Sequence, residues 1–459
     1  MTHLGIEVPL RDPPPLDLGF LPLVKFNESF LRTARRSFHI AVERPDGVAV
    51  CPTFIHGTAD RFDADVFYVR QTVKTLLWAK GGFRVYLSGD EAVCRAVAEQ
   101  FAPGGSCAFD ADFMADVYRR PFSVTRVDRV PEPRDCPRSV GGHTDGCRIG
   151  IDAGGSDRKA VAMVDGRVVY AEEVPWSPKS AADIAYHRDG ILAGLRAAAA
   201  HLPQVDAVGV STAGICAGDR LLRSALFEAV PRDAFDPGIY QSAVSELFGP
   251  VPCAVVNDGD VSALAGAALL GQSDVLGLAM GTSLAAGYVD GKGRITGWLN
   301  ELAFVPVDAG PTAPIDPWSG DRGCGVSCLS QEAVIRLAAV AGISLDSALS
   351  PAQKLAAVQA LTERDDPRAL EVFDTVGVYL AHALARYHGL YRFRHGLLLG
   401  RVTSGKGGRR ILERCRAVLT AEYPAVAEAV TIHLPDEQSR RTGQAEAAAG
   451  LPVIDASDK

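Results

Sequence analysis

The chain has 459 residues, 47% hydrophobic and 22% charged, with a formal net charge of -8; that length allows about three domains, and the composition is that of a globular chain with sizeable cores. The negative balance argues against a nucleic-acid partner held by bulk charge, and no apolar run is long enough to span a bilayer. Pro9, Asp12 and Pro13-Pro14-Pro15 interrupt any signal-peptide core, and the ten scattered cysteines read as free thiols rather than disulfides, so the expected location is the cytoplasm, with no membrane partner.

Residues 1–35 open with a Pro-rich segment that reads as an extended arm on the surface. Phe38 to Glu43 and Val48 to Ile55, joined by Pro45-Asp46-Gly47, predict a hairpin. Apolar residues at helical spacing (Val69, Val73, Leu76, Leu77) predict a helix from Tyr68 to Lys80, stopped by Gly81-Gly82. A strand over Phe83–Leu87, helices over Asp90–Phe101 and Ala111–Tyr118, and a strand over Phe122–Val127 complete a small α/β module, residues 1–135. It contains no helix-turn-helix pattern and no basic recognition helix. Tyr68, Arg70, Lys74 and Trp78 on one helix read as an interface or a solvated face. Residues 131–146 have linker composition, and 136–147 are taken as the linker.

The stretch from Cys147 to Val168 is the centre of the reading. Ile149 and Ile151 start a strand, Ala160 to Val164 return, and Asp165-Gly166 leads to a third strand over Arg167–Glu172. Asp152-Ala-Gly-Gly-Ser-Asp-Arg-Lys159 lies between the first two. Gly154 and Gly155 lack a Cβ, so backbone N–H groups there can approach a phosphate. Ser156 and Lys159 add a hydroxyl and a charge, and Asp152 is placed to hold a metal ion through water. An ordinary Gly-rich hairpin loop is the plain alternative.

A helix over Ile184–His201 and a buried strand over Val205–Ser211 lead to Ser211-Thr-Ala-Gly214. This small-residue elbow follows a strand, where α/β proteins place ligands, which makes Ser211 and Gly214 candidate substrate contacts. The strand Val251–Val256 ends at Asn257-Asp258, either of which would cap the helix Val261–Gly271. A carboxylate beside a helix N-terminus also suits a catalytic base, because it stays ionised there.

The strand Val275–Ala279 enters Gly281-Thr282-Ser283, a second turn of small and hydroxyl residues. Two such turns with Asn-Asp between them are more specific than either alone. Asn300 and Glu301 stand among apolar residues, which is costly unless they bind something; a buried hydrogen-bonded Glu is the alternative. Pro311–Gly325 is a long irregular loop, followed by helices over Gln331–Ala341, Ala352–Leu361 and Leu370–Tyr387. The strand His395–Leu399 enters Gly400 to Gly408, which includes Ser404 and Gly405, then a helix to Tyr423. A strand, a Gly-rich turn and a helix suit a nucleotide base or ribose lying on bare backbone. A strand over Val430–Leu434 and a helix over Glu437–Ala449 close the chain.

In this order the motifs of residues 148–452 resemble the ROK family (repressor, open reading frame, kinase) of the actin-like ATPase and sugar-kinase superfamily. Its Asp-x-Gly-Gly-Thr-x-x-Lys loop is matched by Asp152 to Lys159, with Ser156 for Thr. Its Asn-Asp pair is matched by Asn257-Asp258, and its Gly-Thr-Gly by Gly281-Thr282-Ser283. Its Gly-Glu-Ile-Gly-His is matched by Asn300-Glu301-Leu302-Ala303-Phe304, which keeps the Glu and replaces the His. Its zinc segment, Cys-x-Cys-Gly-x-x-Gly-Cys, survives as Gly323-Cys324-Gly325-Val326-Ser327-Cys328, with two thiols rather than three.

The resemblance implies a two-lobed actin-like (ribonuclease H-like) α/β fold with an added N-terminal α/β domain. The first lobe would be 148–272, completed by a C-terminal helix over 437–450, and the second lobe 273–436. It implies ATP and Mg²⁺ between the lobes, Asp258 as general base, and Asn257 and Glu301 as sugar contacts. The nucleotide would be held by Asp152, Gly154, Gly155, Ser156, Lys159, Gly281, Thr282 and Ser283, with Gly400, Ser404 and Gly405 on the adenosine side. With the His and one Cys gone, a tetrahedral zinc lacks ligands, so no structural zinc is expected. The acceptor class implied is a hexose, an amino sugar or a cyclitol, and Phe304 in place of the His points to a cyclitol, an amino sugar or a sugar derivative rather than glucose. The family also implies a homodimer. The rival expectations are a sugar sensor that kept the fold without helix-turn-helix or chemistry, and a plain ATPase.

Overall fold

The computed structural model describes residues 1–435 and 443–454. The chain divides into two compact units: residues 1–136, 278–286 and 298–434 form one, and 137–277, 287–297 and the segment from Pro435 form the other. Residues 1–136 are thus part of a larger unit and not a separate module, and the units meet in sequence at Cys136–Pro137, within the expected linker.

In the first unit the arm expected over residues 1–35 is a folded segment. Helix α1 (Leu23–Thr33) buries Leu23, Phe26 and Phe30. Burying one such Phe is worth roughly 2–3 kcal/mol, which explains why the segment does not lie extended on the surface. The hairpin is β1 (Arg36–Arg44) with β2 (Gly47–Ile55). Helix α2 (Phe62–Lys80), β3 (Arg84–Ser88), α3 (Glu91–Gln100), α4 (Ala108–Tyr118) and β4 (Ser123–Arg126) follow. The sheet order is β2-β1-β3-β4, with β4 parallel to β3 and the other pairs antiparallel. Helix α2 is buried along most of its length. Tyr68, Lys74 and Trp78, left open above as an interface or a solvated face, are interior.

The second unit is built on β5 (Cys147–Ala153), β6 (Asp157–Val164) and β7 (Arg167–Pro175), followed by α5 (Ile184–Ala199) and β8 (Ala207–Thr212). A helix without a side-chain cap, α6 (Ile239–Phe248), precedes β9 (Cys253–Asn257) and α7 (Asp258–Leu270). The sheet order is β9-β8-β5-β6-β7. Strand β8 pairs parallel with both β5 and β9, and β6 alone runs against the others, antiparallel to β5 and to β7, so the carboxyl ends of the adjacent strands β5, β8 and β9 lie together. The C-terminal helix Gly443–Ala449 lies on this sheet at bare backbone: a Cβ on Gly150 or Gly209 would lie 1.9 Å from Ala445 O or 1.7 Å from Ala448 O. The part of that helix expected over 437–442 lies outside the described residues.

The chain passes between units within β10 (Val275–Met280) and β11 (Leu284–Val289). The first unit then adds α8 (Gln331–Val340), α9 (Pro351–Glu363), α10 (Pro367–Tyr391), β12 (His395–Leu399), α11 (Gly405–Glu422), α12 (Pro424–Ala429) and β13 (Thr431–His433). The sheet order is β11-β10-β12-β13.

Candidate active site

Asp152, one residue before the end of β5, is opposite Lys159 on β6 and beside Ser211 on β8. It is 5% exposed. Ser211 Oγ donates to its Oδ1 at 2.8 Å, and Lys159 Nζ donates to its Oδ2 at 3.3 Å. Burial raises the Asp152 pKa, while the ammonium and hydroxyl pull it back. Burial opposes the Lys159 charge, but Asp152 and Asp157 outweigh it and hold the lysine pKa above its usual value. Ser211, expected to touch substrate, is fully buried and orients Asp152 instead.

The hairpin turn is tied down by its neighbours. Gly154 N–H donates to Asp157 O at 3.1 Å, and the Trp176 indole donates to Gly154 O at 2.7 Å. Ser156 Oγ donates to Asp157 Oδ2 at 2.7 Å. Gly154 therefore uses its amide to close the turn. Against the turn lies a surface cavity of about 550 Å³, lined by Gly155, Ser156, Trp176, Ser177, Lys179 and Tyr186 among others. A Cβ on Gly155 would be 3.8 Å from Lys179 Nζ. Among the described residues no carboxylate pairs with Lys179. Sequence reasoning passed over this lysine; its place just after the third strand of the hairpin was the available signal.

At the head of α7 the cap is Asn257. Its Oδ1 accepts from Gly259 N–H at 2.8 Å and Asp260 N–H at 3.4 Å, and its Nδ2 donates to Gly214 O at 2.7 Å. Gly214 is thereby fixed to the cap, and Asn257 keeps one amide proton beyond these bonds. Asp258 is the first helical residue, and its Oδ1 accepts from Gly259 N–H at 2.9 Å. Burial, and then the nearby charge of Asp152, push its carboxyl up to about 7. A carboxylate poised near neutrality at a strand end is suited to general-base work.

In the other unit, Gly281-Thr282-Ser283 forms the turn between β10 and β11. Gly281 N–H donates to Ser283 O at 2.9 Å, and both hydroxyl residues are exposed. Gly400, at φ +92°, begins the turn after β12; a Cβ there would lie 2.3 Å from Met280 O. Ser404 precedes α11 without capping it, and beside Gly405 the Glu363 carboxylate accepts from Lys406 N–H at 2.7 Å. That carboxylate already meets the helix end, which leaves the turn better suited to a neutral ribose or base than to another anion.

Asn300 departs from expectation. It is 4% exposed at φ +54°. Its N–H donates to Ala79 O at 3.0 Å, and its Oδ1 accepts from Tyr391 OH at 3.0 Å. Its polar groups are satisfied inside the unit, which removes the reason for assigning it to substrate. Glu301 is half-buried, with its N–H donating to Trp78 O at 3.0 Å.

Asp152 fits a hard divalent cation: it is an oxygen donor, and its charge raises the pKa of Asp258, a repulsion that a cation relieves. Among the described residues no three His, Cys, Asp or Glu side chains cluster as a metal cage. Mg²⁺ would thus be held by one or two carboxylates together with water and phosphate. The zinc segment does not fit a tetrahedral zinc. It offers two thiols, and Phe304 occupies the His position with its ring against Trp78 and Trp318.

No family model and no curated protein matches the sequence. Solved structures do match. The ROK hexokinase from Thermus thermophilus superposes with a TM-score of 0.51 at 21% identity, covering 66% of this chain and 98% of that one. A ROK family glucokinase from Streptomyces griseus, in complex with glucose and AMPPNP, gives 0.50 at 20% identity, with the same coverage. A ROK family transcriptional regulator, a homologue of the E. coli MLC protein, gives 0.54 at 14% identity, covering 83% and 96%. The chain therefore carries the actin-like α/β fold of the ROK sugar kinases. Among the described residues no helix is long and apolar enough to cross a membrane.

Proposed function

We propose that this chain is an ATP-dependent kinase that phosphorylates a hydroxyl of a sugar or sugar-like molecule: a hexose, an amino sugar or a cyclitol. One observation carries the reading. At the carboxyl ends of adjacent strands, Ser211 Oγ holds Asp152 at 2.8 Å and Asn257 caps the helix that Asp258 begins, and burial, with the nearby Asp152 charge second, pushes the Asp258 carboxyl up to about 7. The similar glucokinase bound glucose and AMPPNP, which supports the same pair of ligands here.

In this reading Asp258 takes the proton from the acceptor hydroxyl. Lys159 and the backbone around Gly155 neutralise phosphate charge, and Thr282 and Ser283 supply hydroxyls from the second turn. Mg²⁺, when bound, supplies charge neutralisation on the transferring phosphoryl group. Asp152 would hold it through water, with Ser211 fixing the carboxylate. The residues contribute mainly positioning and electrostatics. Glu301 is the assigned sugar contact, Asn257 offers its remaining amide proton, and a cytoplasmic homodimer is the expected form.

A non-catalytic sugar sensor is the second reading, favoured by the burial of Asn300 and the packing of Phe304. An ATP-consumption screen across hexoses, amino sugars and cyclitols separates them. ADP that depends on one acceptor establishes the kinase, and its absence throughout supports the sensor. ADP without any acceptor identifies an ATPase.

A further inference from the structure

One helix of the N-terminal 136 residues holds the segment carrying Glu301 at three points. The first is backbone. Carbonyls in the last turn of an α-helix lack intrahelical partners, and at the end of α2 those of Trp78 and Ala79 accept from Glu301 and Asn300 N–H, each at 3.0 Å. The second is aromatic. The Phe304 ring lies 4.7 Å from that of Trp78 and 4.8 Å from that of Trp318, and Trp78 Nε1 donates to Asp110 Oδ1 at 2.6 Å. The third is ionic. Lys74, one turn before Trp78 on the same helix face, is 4% exposed; its ammonium meets Asp321 at 2.7 Å and also bonds Asp110.

We propose that Lys74 and Trp78 are positioning residues for Glu301, and that α2 orders the 298–325 segment in place of a bound metal. The proposal rests on the reading of Glu301 as a sugar contact, but its test does not require a known sugar. It accounts together for three features that otherwise stand apart: the added N-terminal residues, the Phe at position 304 and the missing thiol. An aromatic ring at 304 replaces a donor with a packing surface, and a buried ion pair at Asp321 closes the loop that a metal would close. The N-terminal residues then act as part of the acceptor site and not as a detachable recognition domain.

Hydrogen exchange on the full chain tests this, because exchange reads local opening segment by segment. In Trp78→Ala and Lys74→Met, peptides spanning 298–325 should exchange about tenfold faster or more. Peptides spanning 147–164, in the other unit, should be unchanged, which separates lost positioning from general unfolding. Trp78→Phe should restore most of the protection. The milder Asp321→Asn removes only the ion pair and serves if the buried variants do not fold. Elemental analysis of the wild-type chain should find no zinc, and EDTA should leave exchange over 298–325 unaltered. A stoichiometric zinc retained through purification, or unchanged exchange over 298–325 in the folded variants, would overturn the proposal. Because neither result involves turnover, failure here leaves the kinase reading intact, and failure of the acceptor screen leaves this one intact.

Discussion

Ser211 donates its hydroxyl to Asp152 across 2.8 Å, linking two adjacent parallel strands at their carboxyl ends. A hydrogen bond to a charged group contributes about 1.5–3 kcal/mol, and a buried partner left without it bears a desolvation cost. Ser211→Ala should therefore lower stability by about 1–2 kcal/mol and let the carboxylate rotate. If Asp152 holds the metal, the KM for MgATP should rise about tenfold while the KM for the acceptor changes little. Steady-state kinetics with each substrate varied in turn checks this; an unchanged MgATP KM would separate Ser211 from metal binding.

Asp258 must be ionised to accept a proton, and burial and the Asp152 charge raise its carboxyl to about 7. With Mg²⁺ relieving the Asp152 repulsion and burial still raising the carboxyl, kcat/KM for the acceptor should climb with pH through a midpoint above the ordinary carboxylate value of about 4 and no higher than about 7, then level off, because the protonated acid is inactive as a base. Asp258→Asn should cut turnover by at least about a hundredfold and leave nucleotide binding, followed by calorimetry, close to wild type. Full turnover in the Asn variant would remove Asp258 from the role assigned to it.

The hairpin and the head of α7 were legible in the sequence because their signals are local. Asp152 to Lys159 is a turn between two apolar strands, and Asn257 is a side-chain cap followed directly by its helix. Helix α1 was hidden by the Pro-rich start, and α6 has no side-chain cap to announce it. Asn300 looked like a ligand because the chain alone shows a polar residue among apolar ones. Its partners, Ala79 and Tyr391, are 221 and 91 positions away, and periodicity carries no information at that range. Ser211 failed in the opposite direction: the elbow is real, but its hydroxyl faces inward to a carboxylate.

Lys179 stands over Gly155 at the cavity beside the turn, and among the described residues it has no carboxylate partner. Lys159, by contrast, already lies between Asp152 and Asp157. Lys179 is thus the cation most available to phosphate oxygens on that side of the hairpin. Lys179→Met should raise the KM for ATP about three- to tenfold, with a weaker effect at high salt and none on the acceptor KM. An ATP KM that does not move, at low salt, would show that the cavity serves some other ligand or none.

Asp308 is a buried carboxyl in the first unit. It is 2% exposed, and its Oδ1 accepts from Leu21 N–H at 2.9 Å and Gly310 N–H at 2.7 Å. Burial outweighs those two bonds and pushes its carboxyl up to about 7. In the unfolded chain the same group titrates near the ordinary carboxylate value of about 4. Between these values the unfolded chain releases a proton that the folded chain retains. Stability is therefore greatest below about pH 4 as far as this group is concerned, falls as pH rises toward 7, and is flat above it, by an amount on the order of 4 kcal/mol. Asp308→Asn keeps an oxygen for both N–H donors and carries no charge. It should be more stable than wild type at pH 8 and close to it at pH 4, with denaturant midpoints at the two values as the measurement. A variant less stable at pH 8 would mean that the ionised carboxylate is itself needed to hold Leu21 and Gly310.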